Sequence, residues 1–262
     1  MGGSQLDQII SFLIGHSGLD PVHFVLLCAI SFLGSFLTAS LGIGGGVLVL
    51  ATMAQILPPA VLIPIHGVVQ LGSNVGRALL MRQHILHRII PAFLAGTLLG
   101  AALGAKLVIS LPPALLQAVL ALFVLYTTWA PRFKASSPRK RTFFTVGFGA
   151  TLATMFVGAT GPLVAPFVSA ACPDRQQVVA THATLMTIQH GLKIIAFGTL
   201  GFAFAPYAPL LGGLIVFGFF GTWCGKKLLV RLPEKYFRLG LKIVLTLLAG
   251  RLLYSAVHRI FG

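Results

Sequence analysis

A glycine-broken apolar segment occurs twice in this chain. The first copy reads Gly42-Ile43-Gly44-Gly45-Gly46-Val47-Leu48, with His66 downstream. The second reads Gly158-Ala159-Thr160-Gly161-Pro162-Leu163-Val164, with His182 downstream. One constant offset carries Gly42 onto Gly158, Gly45 onto Gly161, His66 onto His182, Asn74 onto His190 and Arg77 onto Lys193. Self-similarity at a fixed period marks a fold built from repeated units. A break placed equivalently in two apolar halves points to the central site of a membrane carrier.

The apolar character is general. Of 262 residues, 56% are hydrophobic and 9% charged, where an ordinary soluble domain carries charge on roughly a quarter of its residues. Stretches near the ~20 residues needed to cross a bilayer recur along the chain. The basic excess, 19 Lys+Arg against 4 Asp+Glu, does not form the continuous basic face of a nucleic-acid binder. It clusters between apolar segments at 82–88, 132–141 and 226–235, as cytoplasmic loops do. Asp7, Asp20, Asp174 and Glu234 all lie near segment ends or in the N-terminal tail. A midmembrane carboxylate, usual where cations are carried, is missing from the sequence pattern, which favours an anionic cargo. Cys28, Cys172 and Cys224 are isolated and read as packing residues, with neither disulfide nor metal spacing.

Apolar segments are predicted at 22–41, 47–57, 61–81, 89–110, 113–130, 143–157, 162–171, 176–198, 206–229 and 236–257. Residues 1–21 read as an N-terminal tail, 22–130 as a first transmembrane repeat, 131–141 as a basic cytoplasmic linker and 142–262 as a second repeat. The later parts of the repeats also align. Gly100, Gly104, Lys106, Leu107, Leu111 and Pro112 fall on Gly221, Gly225, Lys227, Leu228, Leu232 and Pro233, at a slightly longer offset. Segments 47–57 and 162–171 reach only about half a bilayer at ~1.5 Å per residue. Each repeat is therefore expected to open with a Gly-broken element, either re-entrant or two short spans, followed by three transmembrane helices. An odd number of crossings per repeat puts the basic loops on one side and the uncharged connections near 58–60 and 199–205 on the other. The expected fold class is an all-α polytopic membrane protein of two inverted repeats.

The half-helices after Gly46 and Gly161 would then point their N-termini at a common midplane. A helix start offers unpaired N–H groups and about half a positive charge, a natural anion site. Pro162 suits a first helical turn, where its missing N–H costs nothing. His66, Gln70, Asn74 and Arg77 share one helical face, and His182, Met186, His190 and Lys193 occupy the same stations in the second copy. Thr181 adds a hydroxyl. Such a stripe should face a cavity or another helix rather than lipid. The candidate substrate-binding residues are Gly44, Gly45, Gly46, His66, Gln70, Asn74, Arg77, Gly161, Pro162, Thr181, His182, His190 and Lys193. Two plainer readings stand beside this one. The glycines also permit close helix packing, and Arg77 and Lys193 also suit snorkelling to the interfaces.

With the Gly42–Gly46 signature, its degenerate copy at Gly158–Pro162 and the stretch Ala180-Thr181-His182-Ala183, the chain resembles the TauE/SafE family of sulfite-exporter-like permeases over roughly residues 22–257. The resemblance implies movement of sulfite, an organosulfonate or a related sulfur-containing or organic anion across the cytoplasmic membrane. The positions that carry over are Gly42, Gly44, Gly45, Gly46, Gly158 and Gly161. His66 and His182 stand where the family often has a small hydroxyl residue, which leaves the anion and its coupling open.

The leading expectation is a multi-pass secondary transporter of the cytoplasmic membrane working by alternating access. Protons are a coupling ion that the histidines could serve. The alternative is a transition-metal permease using the intramembrane histidines. No nucleotide loop, metalloprotease helix, nucleophile elbow or carboxylate pair suggests an enzyme, and no cofactor is expected. The expected partners are a small anion and the lipid bilayer, with no nucleic acid. A homodimer is left open.

Overall fold

The structure is a computed structural model that describes residues 19–41, 44–108, 112–130, 135, 138–228 and 234–261. Gly42 and Ile43, most of the N-terminal tail and much of the basic linker lie outside the described residues. Among the described residues ten α-helices follow in order: α1 Pro21–Leu41, α2 Gly45–Met53, α3 Pro59–Leu80, α4 Ile90–Val108, α5 Pro113–Trp129, α6 Lys140–Val157, α7 Gly161–Ala171, α8 Arg175–Thr199, α9 Ala208–Leu228 and α10 Glu234–Phe261. No strand occurs among the described residues.

Local chemistry sets the ends. Asp20 caps α1, its carboxylate accepting the His23 N–H at 2.8 Å, and this bond holds the Asp20 carboxyl below the usual carboxylate range. Asp174 caps α8 by accepting the Gln177 N–H at 2.7 Å. Prolines open α3 and α5, where a missing N–H is harmless. The second apolar segment starts earlier and stops earlier than its hydropathy suggests. Gly44 takes φ 103°, a left-handed value open to glycine, so α2 begins at Gly45. Its helix ends at Met53 and runs on through hydrogen-bonded turns to Leu57, ahead of Pro58-Pro59. Gly158, at φ 78°, makes the matching break before α7.

The α1–α2 pair is a hairpin. Gly45 lies against the Gly34 carbonyl and the Thr38 hydroxyl, and Val49 also meets Gly34, so α2 runs back along α1. At nine residues it extends only ~13 Å. From Val47 to Met53 every residue of α2 is buried.

The two halves of the chain interlock. The major helix pairings are α1 with α9, α4 with α6, α3 with α8 and α5 with α10. Exchanging α1–α5 with α6–α10 turns this set into itself. In α9, Gly221 and Gly225 sit on the Phe32 and Phe36 carbonyls of α1. In α4, Gly96 and Gly100 sit on the Phe144 and Phe148 carbonyls of α6. Register fixes direction: α1 and α9 run parallel, as do α4 and α6. Gly72 and Gly76 of α3 meet Ile215 and Phe219 of α9 in the same parallel sense, whereas Gly67 and Leu71 meet Lys193 and Gly191 of α8 in the opposite one.

Gly100 and Gly221, aligned by the sequence repeat, are therefore equivalent points of backbone contact. Valine at Gly221 would drive its Cβ into the Phe32 carbonyl, which no rotamer relieves. Overpacking typically costs about 1–3 kcal/mol, and backbone collision belongs at the upper end. Gly221→Val should lose its monodisperse gel-filtration peak in detergent, while Gly212→Ala, whose Cβ meets nothing within 4 Å, should keep it.

Four described helical stretches are long and apolar enough to cross a membrane: Pro21–Leu41, His87–Val108, Ala205–Lys227 and Leu239–Ile260. Large apolar side chains such as Leu98, Phe220 and Leu247 project outward from them, as lipid-facing residues do. Helices α3 and α8 are long enough but too polar along one face, and they form the centre of the molecule.

Candidate functional site

The breaks before α2 and α7 meet α3 and α8 around one internal cavity of about 40 Å³, room for roughly three water molecules. Gly44, Gly46, Gly161 and Pro162 line it from the breaks, and His66, Gln70, Asn74, His182 and His190 from the polar stripes. Thr38, Val47, Ala159 and Met186 complete the wall.

The breaks supply two helix starts without side-chain caps. First-turn N–H groups have no intrahelical acceptor, so both ends carry partial positive charge toward the cavity. The starts are unequal. Pro162 has no N–H, and the Leu163 N–H is used by the Thr160 carbonyl at 2.9 Å, so α7 offers fewer free donors than α2.

The histidines repeat one bond in both halves. His66 Nε2 donates to the Gly46 carbonyl at 3.0 Å, and His182 Nε2 donates to the Gly161 carbonyl at 3.0 Å. A carbonyl only accepts, so the proton belongs on Nε2 and Nδ1 is left as the second ring position. The Nδ1 atoms of His66, His182 and His190 are buried with no hydrogen-bond partner. The His66 and His190 rings meet edge to face, with centroids 6.1 Å apart. Gly46 and Gly161 are small for this reason: a Cβ would press on the Gln70 side chain at 3.0 Å or on His182 Cε1 at 3.3 Å.

Other expected site residues take different places. Gly45 does not line the cavity, because the close approach of α2 to α1 consumes its open face. Thr181 faces the α3–α4 connection, where its hydroxyl accepts the Leu86 N–H at 2.9 Å. Lys193 and Arg77 are also off the cavity wall. Neither snorkels, since they are 0% and 1% exposed. Lys193 passes over Gly67 and donates to the Gly158 carbonyl at 2.9 Å, pinning the second break. Arg77 Nη2 donates to Ser73 Oγ at 3.1 Å, while its Nε and Nη1 have no partner. Both basic groups stand behind the cavity, and among the described residues no carboxylate is paired to either.

Thr38 was not foreseeable from the repeat, because it comes from α1 and its hydroxyl donates to the Gly34 carbonyl. Met186 lies on the legible stripe, at the station of Gln70. Among the described residues no group of three His, Cys, Asp or Glu side chains is placed to hold a metal ion. The arrangement suits a small anion that accepts hydrogen bonds from helix starts and gives one to an imidazole nitrogen.

The family model described as Sulfite exporter TauE/SafE matches residues 27–252. No curated protein and no solved structure matches the chain.

Proposed function

Since the chain belongs to the sulfite exporter TauE/SafE family, a family of membrane transporters, we propose that it is a secondary carrier of a small oxyanion, sulfite or an organosulfonate, moved together with a proton. The carrying observation is the repeated histidine geometry. With Nε2–H committed to a glycine carbonyl, a neutral ring turns only a lone pair toward new partners. An oxyanion has lone pairs of its own, so the contact becomes favourable when a proton sits between them. That proton arrives on the imidazole or on the anion, and it crosses with the cargo in either case.

The carrier lies in the cytoplasmic membrane as two inverted repeats. Equivalent helices α3 and α8 run in opposite directions, which supports the inversion. The hairpins α1–α2 and α6–α7 are re-entrant elements whose tips meet at the midplane, and the repeats rock about them to open the cavity to one side at a time. Nucleotide loops play no part. Arg77 holds positive charge near the cavity without blocking it, and the absence of carboxylates from both stripes keeps cations out.

The test is sulfite flux into proteoliposomes, with an empty-vesicle control for passive leak. Saturable uptake should accelerate when the sulfite side is made acidic, and should slow when a protonophore collapses the gradient. Flux equal to that of empty vesicles, in protein that runs as a single folded species, would remove sulfite as the cargo.

A further inference from the structure

A second cavity, of about 220 Å³, opens between the turn after α2, the start of α5 and the last third of α10. It belongs neither to the central site nor to the cytoplasmic loops. Because α2 runs back along α1, this turn lies on the side where α1 begins. The connections on that side, 54–58 and 200–207, carry no Lys or Arg. Arg251, Ser255 and Arg259 nevertheless line the cavity. They recur every fourth residue along α10, a helix whose Leu247, Tyr254 and Val257 are also exposed. Arg251 lies well inside the helix, about 15 Å along the axis from its end. An arginine at that depth needs an aqueous or anionic neighbour.

Among the described residues no carboxylate answers that need: Asp20 is paired with His23, and none lines the cavity. On the opposite wall Gln117 is 8% exposed, and its Oε1 has no hydrogen-bond partner. Gln55 closes the floor, its Nε2 donating to the Leu248 carbonyl at 3.0 Å. Two guanidiniums without counter-charge, a hydroxyl and a buried amide thus converge on one polar space.

We propose that this cavity is a second oxyanion site on the extracytoplasmic face, filled by a tetrahedral phosphate- or sulfonate-type group. Guanidinium forks match such groups in charge and geometry. Two sources carry the same chemistry: a phospholipid headgroup, and a free inorganic oxyanion pausing at the outer mouth. The site stands apart from the central histidines, so it can fail while the carrier reading holds, and the reverse.

The experiment uses the full chain in nanodiscs. In phosphatidylcholine discs, binding of radiolabelled inorganic sulfate is titrated. In mixed discs, retention of phosphatidylglycerol is read by native mass spectrometry. Wild type is compared with the Arg251→Gln/Arg259→Gln double variant, its Lys/Lys counterpart and Gly212→Ala, whose added Cβ meets nothing within 4 Å. Both arginines are surface-exposed, so the charge-removing variant should fold, with gel filtration as the check. Expected is a loss of roughly tenfold or more in one ligand's binding in the Gln/Gln variant, recovered in part by Lys/Lys and unchanged in Gly212→Ala. Loss of sulfate identifies a free anion, loss of phosphatidylglycerol a headgroup, and loss of both a site they share. Wild-type binding of both ligands by folded Gln/Gln protein would overturn the proposal.

Discussion

A His182→Gln carrier should fold normally and lose coupled transport. Glutamine reaches about as far as histidine, and its amide N–H can replace the Nε2 donor to the Gly161 carbonyl. It cannot supply a second ring nitrogen, so the position that accepts a proton disappears while the bond that holds α7 survives. Loss of one partner from a buried, charge-assisted contact costs on the order of 1.5–3 kcal/mol, which corresponds to a fall in flux of roughly 10–100-fold. Acceleration of sulfite uptake by acid should flatten at the same time. His66→Gln should behave alike, because its bond to Gly46 is the same in kind and length. His258, exposed near the end of α10, should tolerate alanine without loss. Initial rates in proteoliposomes across a range of external pH decide the matter. Wild-type flux and pH dependence in both glutamine variants would exclude these imidazoles from the mechanism.

The second large effect is expected at Gly45, for a reason of packing. A Cβ there would meet the Gly34 carbonyl and the Thr38 hydroxyl. The hydroxyl can turn away, but the carbonyl is backbone inside α1 and cannot. Gly45→Val should therefore lift α2 off α1, at a cost of about 3 kcal/mol or more, and carry the uncapped helix start away from the cavity. Thermal midpoint in detergent and sulfite flux should fall together. Gly212→Ala provides the baseline. A Gly45→Val protein with wild-type flux and stability would mean that the hairpin is far more yielding than its contacts imply.

Much of this organisation could be read along the chain. Each of the ten apolar segments corresponds to a helix, with ends displaced by a few residues where a cap, a proline or a left-handed glycine intervenes. The stripe from His66 to Asn74 and its copy from His182 to His190 reach one cavity, as their helical spacing implies. What escaped were relationships between distant elements. Thr38 reaches the cavity because α1 crosses behind the break, and no period along the chain records that. Gly45 looked like its neighbours Gly44 and Gly46, yet its role is contact with α1, since only the third dimension separates a lining glycine from a packing one. Thr181 sits beside His182 but points toward Leu86, one helical step being enough to turn it off the cavity. Lys193 and Arg77 looked able to reach the interfaces, but neighbouring helices enclose them. The interlocking of the halves left one trace, the recurrence of Gly100 at Gly221, whose meaning appears only when each is seen against a carbonyl of the other half.

That interlocking constrains the order in which the protein can be made. Ser31 of α1 donates to the Leu214 carbonyl of α9 across 183 residues of chain. At a synthesis rate of about 5–20 residues per second, α1 emerges roughly 10–40 s before the helix it must pack against. Throughout that interval α1 lacks the glycine-bearing helix α9 that covers Ser31 and Ser35, and only later synthesis can close it. A ribosome stalled after the first half therefore leaves a chain that has inserted but cannot finish folding, a natural substrate for membrane quality control.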